Sequence, residues 1–467
     1  MAAKATLCSG MAFPPGPTQP TAWITYRWVR EPYTLLEELE ERFGDTFSMK
    51  IAGFPRMMIV SNPDHVREIF SDDGETLEAG RVNRTLAPLL GDRSVLMADG
   101  RDHLRKRKIL LPPFHGERMQ AYGRAMLELT DDGIDAFPVG APFAIHGPMQ
   151  DITLRIIVRT IFGFEEGPQT EKMVARTKRV LELGAWAPLL FPLMQFDLGR
   201  FSPFGRFRIA VAEADEMLYG EIARRRRDGA RGPDILSMLL DAKDDAGRPM
   251  PDAELRDELV TLLVAGHETT ATALTWAMRW MLDAPAAFEE LRAEVAALGD
   301  APTPEAIAKC ALLDSVAREA LRLVPVIPLV GRMLRAPKKL AGYELPAGAV
   351  VACSIYLAHR REAAYPHADS FDPRRFVGKK VSAYEFLPFG GGVRRCIGMA
   401  FALYEMKMVL ARLVARTDLR LERRGPVAMV RRSITITPAD GLRVVLDVRR
   451  PRRAPESAGA SPSGAVA

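Results

Sequence analysis

Cysteine is scarce in this chain. Four occur in 467 residues, Cys8, Cys310, Cys353 and Cys396, and no two form a CxxC pair. A disulfide scaffold and a four-cysteine zinc site are thereby excluded, and a reducing compartment fits. Charge of one sign is also not in excess: 64 Lys and Arg against 59 Asp and Glu leave a net +5, so nucleic acid is not an expected partner. Long apolar runs are missing. Met1 to Phe13 is broken by Lys4, Ser9 and Gly10, and Pro14, Pro15 and Pro17 follow. Neither a transmembrane anchor nor a secretory leader is expected, and the expected location is cytoplasmic. There is no repeat period of a solenoid. What is present, 48% hydrophobic and 26% charged residues, is an ordinary globular composition. The length sets a soft prior of about three domains, yet no Pro/Gly/Ser-rich linker divides the interior. One domain is expected over 13–450, with disordered tails at 1–12 and 451–467.

Helical periodicity dominates. It covers Tyr33 to Phe43, Pro63 to Phe70, Asp102 to Leu111, Asp151 to Phe162, Arg208 to Arg227, Ile235 to Leu240, Asp252 to Asp283, Ala286 to Ala297, Leu312 to Val324 and Gly398 to Arg416. Strand signals cluster near the two ends. Phe47 to Ile51 and Met57 to Val60 flank Gly53 and Pro55 as a hairpin would. Tyr343 and Leu345, then Ala349 to Tyr356, flank Pro346 to Gly348 in the same manner, and Ile434 to Thr437 and Val444 to Val448 surround Pro438 to Gly441. The fold class is mostly α (α+β): a helix-rich domain with small β-sheets.

Asp252 to Asp283 runs without proline for roughly 48 Å at 1.5 Å per residue. Leu255, Leu259, Leu262, Gly266, Thr269, Ala273, Trp276 and Trp280 form one stripe that should be buried. Its middle nevertheless reads Ala265-Gly266-His267-Glu268-Thr269-Thr270. The Thr269 hydroxyl can bond back to the Ala265 carbonyl, and with Gly266 it makes a groove where a ligand approaches the backbone. The plainer alternative is a buried threonine satisfied by its own helix, with His267 and Glu268 on an exposed side.

A second unusual stretch is Phe389-Gly390-Gly391-Gly392-Val393-Arg394-Arg395-Cys396-Ile397-Gly398, ahead of a strong helix. Three glycines let the backbone come close to something flat or bulky. Helix N-terminal N–H groups and two arginines favour a thiolate at Cys396. A dinucleotide loop fails because the last position of GxGxxG is Arg395, and a P-loop fails for want of GK[ST]. A cysteine nucleophile with a histidine folded back from elsewhere, and a buried structural cysteine, stay open at this point.

Glu319 and Arg322 lie three apart on a helix, as surface pairs often do. Pro373, Arg375 and Phe376 follow, and His103 and Arg107 are four apart on the basic helix Arg101 to Lys108. Taken in order, these features resemble the cytochromes P-450, the haem-thiolate monooxygenases. Residues 265–270 resemble AGx[DE]T[TS]; Glu319 and Arg322, ExxR; Pro373, Arg375 and Phe376, PxRF; and 389–398, FGxGxRxCxG. The resemblance spans Phe13 to Val448, with His103 at a position where many members carry tryptophan.

That resemblance implies a haem b (iron protoporphyrin IX) held between the long central helix and the cysteine-loop helix. Cys396 is implied as the iron ligand, its thiolate pushing electron density towards O–O cleavage. His103, Arg107, Arg332 and Arg394 are implied as donors to the propionates, and Ala265, Thr269 and Phe389 as haem contacts. Glu268 and Thr269 are implied as the catalytic pair that manages protons during O2 activation, and Glu319, Arg322 and Arg375 as a structural network. The aromatic, proline-broken stretch Leu183 to Phe207, with Trp186, Phe191, Phe196, Phe201 and Phe204, corresponds to the roof of the substrate channel. With Val326, Ile327, Leu329 and Val330 it implies an apolar small-molecule substrate: fatty acid, terpenoid, steroid or polyketide. Electrons are expected from a separate acidic ferredoxin or flavodoxin with its NAD(P)H reductase, docking on Arg105, Lys106, Lys108, Arg394 and Arg395. A non-catalytic haem sensor or carrier, and a peroxide-using member of the same fold, are the alternatives.

Overall fold

The computed structural model describes residues 13–452 except 73, 115, 117, 166, 185–193 and 433. Trp186, Phe191, Pro188 and Pro192 of the expected roof, Cys8, and most of the two expected tails lie outside the described residues. Arg452, at the start of one of those tails, pairs with Asp132 and Asp135.

The helix Asp252–Asp283 forms over the span its periodicity predicts. Pro251 precedes it in an extended conformation, and Asp252 and Glu254 place negative charge in its first turn, where the unpaired N–H groups of a helix favour it. Helices His146–Phe162, Ala311–Leu323 and Met399–Arg416 pack around it. Leu259, Leu263, Leu274 and Met278 from the central helix meet Ile156, Ile161, Val316, Leu410 and Leu413 in the main core. Each such side chain contributes roughly 1.5–3 kcal/mol of burial. Trp276 anchors the far end by donating its indole N–H to the Ile436 carbonyl at 2.9 Å.

Among the described residues, three helices of ten residues or more were not expected: Thr21–Arg30, Arg118–Asp135 and Pro168–Gly184. The second contains Gly123 and Gly133, which lower helix propensity. Packing decides against propensity there. A Cβ on Gly123 would reach within 2.6 Å of Tyr404 Oη, and one on Gly133 would overlap Ile152, so both glycines are points of close helix–helix approach.

The first expected hairpin forms, with Thr46–Met49 antiparallel to Met57–Val60. The other two strand pairs do not form as drawn. Tyr343–Leu345 pairs with Lys338–Leu340, while Val350–Ser354 goes to another sheet, parallel to Met57–Val60 and antiparallel to Leu329–Leu334. Ile355 and Tyr356 belong to a helical turn capped by Ser354. Thr435–Pro438 pairs with Met429–Arg432, and Arg443–Arg449 with Thr417–Leu421 and Pro142–Ala144. Turn residues mark where strands end. They do not choose the partner: Tyr343–Leu345 pairs with the strand just before it, whereas Val350–Ser354 and Arg443–Arg449 each also pair with a strand hundreds of residues away.

The Glu319–Arg322 pair is not on the surface: both side chains are 0% exposed. Arg322 Nε and Nη2 form a fork on Glu319 at 2.7 and 2.9 Å, and Arg375 Nε adds a third donor at 3.0 Å. Glu319 also accepts the Asp372 N–H at 3.0 Å. Arg322 reaches the His359 and Ala368 carbonyls at 2.9 and 2.6 Å, and Arg375 reaches that of Pro366 at 2.8 Å. Every side-chain oxygen and nitrogen of the three buried charges thus finds a partner, the condition under which such a cluster is tolerated. The Glu319→Ala variant leaves two buried guanidinium groups without their acid. It should lose about 3–5 kcal/mol, measured by denaturant unfolding, whereas Glu290→Ala, at an exposed partner of Arg374, should change stability by less than about 1 kcal/mol.

Candidate functional site: a thiol loop facing the central helix

The loop before Met399–Arg416 is folded back on itself. The Cys396 N–H donates to the Phe389 carbonyl at 3.0 Å and Gly390 N–H to that of Leu387 at 2.8 Å. Gly390 and Gly392 adopt φ of 65° and 64°, left-handed values open to glycine at little cost. A Cβ on Gly391 would overlap the Phe70 ring, and one on Gly392 the Phe70 carbonyl. The bulky group that the glycines admit is therefore Phe70, at the end of helix Pro63–Phe70.

Cys396 is open to a water-sized probe while densely surrounded by protein, so its side chain looks onto interior space. Burial pushes its thiol above the ordinary value; the Gly398 N–H, Arg107 and Arg395 act in the opposite direction. The expected thiolate bias is thus outweighed by burial in the protein alone, and coordination to a metal cation reverses that balance.

Behind the loop the structure gathers the four expected donors. His103, 4% exposed, feels the charges of Arg394, Arg107 and Arg332, and burial with that charge holds its imidazole down at about 3. Arg394 is pushed down to about 10, chiefly by burial. It bonds to Asp99 and to the Ala98 and Val95 carbonyls. Arg107 Nη1 donates to the Arg395 carbonyl at 2.6 Å, and Arg332 Nη1 to Gly331 at 2.9 Å with its guanidinium over the Phe70 ring. Among the described residues neither Arg107 nor Arg332 has an acidic partner within ion-pair distance. Three guanidinium groups beside Asp99 are an excess of positive charge, which an anionic ligand would balance, with the neutral imidazole as a further hydrogen-bond donor.

On the central helix the stripe that should be buried opens at its middle. Ala265 is exposed and Leu262, Gly266 and Thr269 are half-buried, within a helix otherwise enclosed by core. Thr269 Oγ1 donates to the Ala265 carbonyl at 2.6 Å, as expected. At Gly266 a Cβ would sit 3.1 Å from Ile157, so the missing side chain also brings helix His146–Phe162 close. His267, which the simpler alternative left exposed, is buried.

Comparison with known proteins closes the question of family. The Cytochrome P450 family model matches residues 14–443. The chain belongs to the cytochrome P450 family. Cytochrome P450 135B1 of Mycobacterium tuberculosis is 35% identical over 463 residues, spanning 98% of this chain and 96% of that protein. Cytochrome P450 137 of the same organism is 33% identical over 408 residues, 87% and 84% of the two chains. Among solved structures, a retinoic acid-bound cyanobacterial CYP120A1 aligns with a TM-score of 0.81 at 26% identity, covering 94% of this chain and 99% of the other. The cytochrome P450DA heme domain aligns with the same TM-score at 25% identity. The protein is thus a haem-thiolate monooxygenase, a user of O2 and of electrons from a redox partner. The residues fit haem: an accessible thiol on an N–H-lined loop, a cationic cluster short of anions beside it, and an opened stretch of helix.

Three expectations change. Lys106 does not belong to a docking face: it is 3% exposed, donating to Glu254 at 2.6 Å and to the Arg93 carbonyl at 2.7 Å, 3.4 Å from Glu258. Arg394 is likewise turned inward, onto Asp99. In the roof, Phe201 is 86% exposed and Phe196 points outward too, while Phe207 is buried and Phe204 packs beside it. His359 was not foreseen. Its Nε2 accepts the Leu387 N–H at 2.8 Å, so Nδ1 carries the proton and donates to the Arg322 carbonyl at 3.2 Å. It ties the buried ion network to the thiol loop, and no local pattern announces it. Among the described residues, no helix is long and apolar enough to cross a membrane.

The Phe70 contact is testable. Gly391→Ala should cost about 1–3 kcal/mol through overpacking and lower haem retention. Adding Phe70→Ala should recover part of that loss, a coupling read from a double-mutant cycle by thermal unfolding.

Proposed function

We propose that this cytochrome P450 inserts one oxygen atom from O2 into an apolar small molecule, by hydroxylation or epoxidation, using haem b ligated by Cys396. The supporting observation is the setting of Cys396: an accessible thiol inside the protein, on a loop closed by the Phe389 carbonyl and flanked by a cationic cluster. When bound, haem supplies the oxidising centre for O2 reduction and oxygen insertion. His103, Arg107, Arg332 and Arg394 would hold its propionates, and Phe389 and Ala265 would contact it. The Thr269 hydroxyl proton is committed to the Ala265 carbonyl, which leaves its oxygen as an acceptor for a water or an incoming hydroxyl. Thr269 and Glu268 then form the proton-handling pair. Residues 13–450 act as one domain.

The substrate class rests on Ile327, Leu329 and Val330, half-buried apolar side chains on the segment after the Glu319–Arg322 helix. Fatty acid, terpenoid, steroid and polyketide share that chemistry, and the structural neighbour bound to retinoic acid is in keeping with it. Electrons come from a separate acidic ferredoxin or flavodoxin with its NAD(P)H reductase. With Lys106 and Arg394 turned inward, its docking charges are the exposed Arg101, Lys108 and Arg395, with Arg105 at the margin.

Reduction under CO should give the long-wavelength absorption band characteristic of a thiolate-ligated haem. Cys396→Ala should abolish it; a variant keeping both haem and that band would remove Cys396 from the ligand role. Supplied with reducing partners, the wild type should form a product from an apolar substrate panel, and none in any combination would point to a carrier. Charge reversal at Arg101 and Lys108 should slow first-electron transfer from an acidic ferredoxin and flatten its dependence on salt, because exposed charges mainly speed encounter. Substrate affinity should stay unchanged, as read by the substrate-induced spectral shift.

A further inference from the structure

Glu268 lies against the neighbouring helix rather than along the opened face of its own. Gln150 Nε2 donates to Glu268 Oε2 at 2.5 Å, and Oε1 is 3.7 Å from Nε2 of His146. That second distance suits an ion pair but is long for a hydrogen bond. His146 is 2% exposed, at the start of helix His146–Phe162. Its other ring nitrogen, Nδ1, is 3.1 Å from Thr275 Oγ1 on the central helix.

The protons in this group can be counted. Thr275 donates its hydroxyl to the Ala271 carbonyl at 2.8 Å, so its oxygen is left as an acceptor. Nδ1 of His146 is therefore the donor. A neutral ring then turns a bare Nε2 lone pair towards a carboxylate oxygen, two acceptors facing one another in a buried site. One further proton removes the conflict, whether it sits on Nε2 or on Oε1.

We infer that His146 and Glu268 share one proton, and that His146 is the positioning residue from which Glu268 is reprotonated during turnover. The second half rests on the monooxygenase reading and on the role of Glu268 within it. In the transfer, the proton leaves Nε2 for Oε1 and His146 becomes the neutral Nδ1–H tautomer; the ring is recharged from the solvent proton pool, a hydronium ion giving up its proton and leaving as water. Burial raises the Glu268 carboxyl, but the contacts from His146, His267 and Gln150 outweigh it and leave it below its ordinary value.

The other groups facing the pair do not compete for the proton. His267 is held down at about 4, chiefly by burial, and its Nδ1 is without a partner among the described residues. Asp151, next to Gln150, is drawn away by Lys178 at 2.9 Å. From the 440–442 turn His146 meets backbone, its N–H donating to the Gly441 carbonyl at 3.0 Å, while Asp440 accepts from Leu442 N–H.

Histidine-labelled holoenzyme in the diamagnetic ferrous–CO state gives a readout independent of activity, through long-range 1H–15N correlations of the imidazole rings. The His146 ring should show a proton on Nδ1 and more proton on Nε2 in the wild type than in Glu268→Gln. A bare Nδ1, or identical spectra for the two proteins, would overturn proton sharing. In turnover, His146→Gln keeps hydrogen-bonding capacity but cannot carry the proton. Product formed per NAD(P)H oxidised should fall severalfold, with hydrogen peroxide rising to match, while the CO band and substrate affinity are retained; unchanged coupling would overturn the relay. A wild type without haem would instead sink the monooxygenase reading, and the spectra of the protein as purified would still decide whether the proton is shared.

Discussion

The carboxylate of Glu319 organises this molecule. One buried anion collects Arg322, Arg375 and the Asp372 N–H, and the two arginines in turn collect carbonyls from residues 359, 366, 368 and 370. A stretch with little regular secondary structure is thereby tied to one buried group. His359 passes the constraint on: burial keeps it neutral, near 3, one nitrogen reads the Arg322 helix and the other holds Leu387. The thiol loop begins two residues later. A cluster of this kind adds little net stability over apolar packing, but it permits one arrangement only, which is what a ligand-bearing loop requires.

The second constraint is electrostatic and runs the other way. His103, Arg107, Arg332 and Arg394 are brought together with Asp99 as their near acid, and burial pushes the imidazole and all three guanidinium groups towards their uncharged forms. The protein alone carries this as a cost. A dianionic cofactor held there would offset it, and folding would then be linked to cofactor binding.

The sequence made the site more legible than its scaffolding. Glu319–Arg322, Ala265–Thr270 and Phe389–Gly398 are local patterns whose chemistry shows in the spacing, and the family follows from their order. Partnerships across the chain are not local. Lys106 reads as one more charge on a basic helix, and only the arrival of Glu254 and Glu258 from the central helix buries it. Glu258 itself is lifted to about 7 by that burial. Gly123, Gly133 and Gly266 carry no mark distinguishing a helix contact from a weak point or a ligand groove. Val350–Ser354 looks like half of a hairpin because Pro346 to Gly348 precede it. Its actual partners are an N-terminal strand and Leu329–Leu334.

The pairing of Met57 with Val350 has a temporal meaning. The strands lie side by side and parallel, yet 350 − 57 = 293 residues separate them along the chain. At a synthesis rate of about 5–20 residues per second, the first strand waits roughly 15–60 s on the ribosome for its neighbour. Phe70, against which the thiol loop closes, belongs to the same early segment. The N-terminal sheet therefore remains an open apolar edge throughout most of translation, exposed to aggregation and to chaperones, and the cofactor pocket is completed only when nearly the whole polypeptide has emerged.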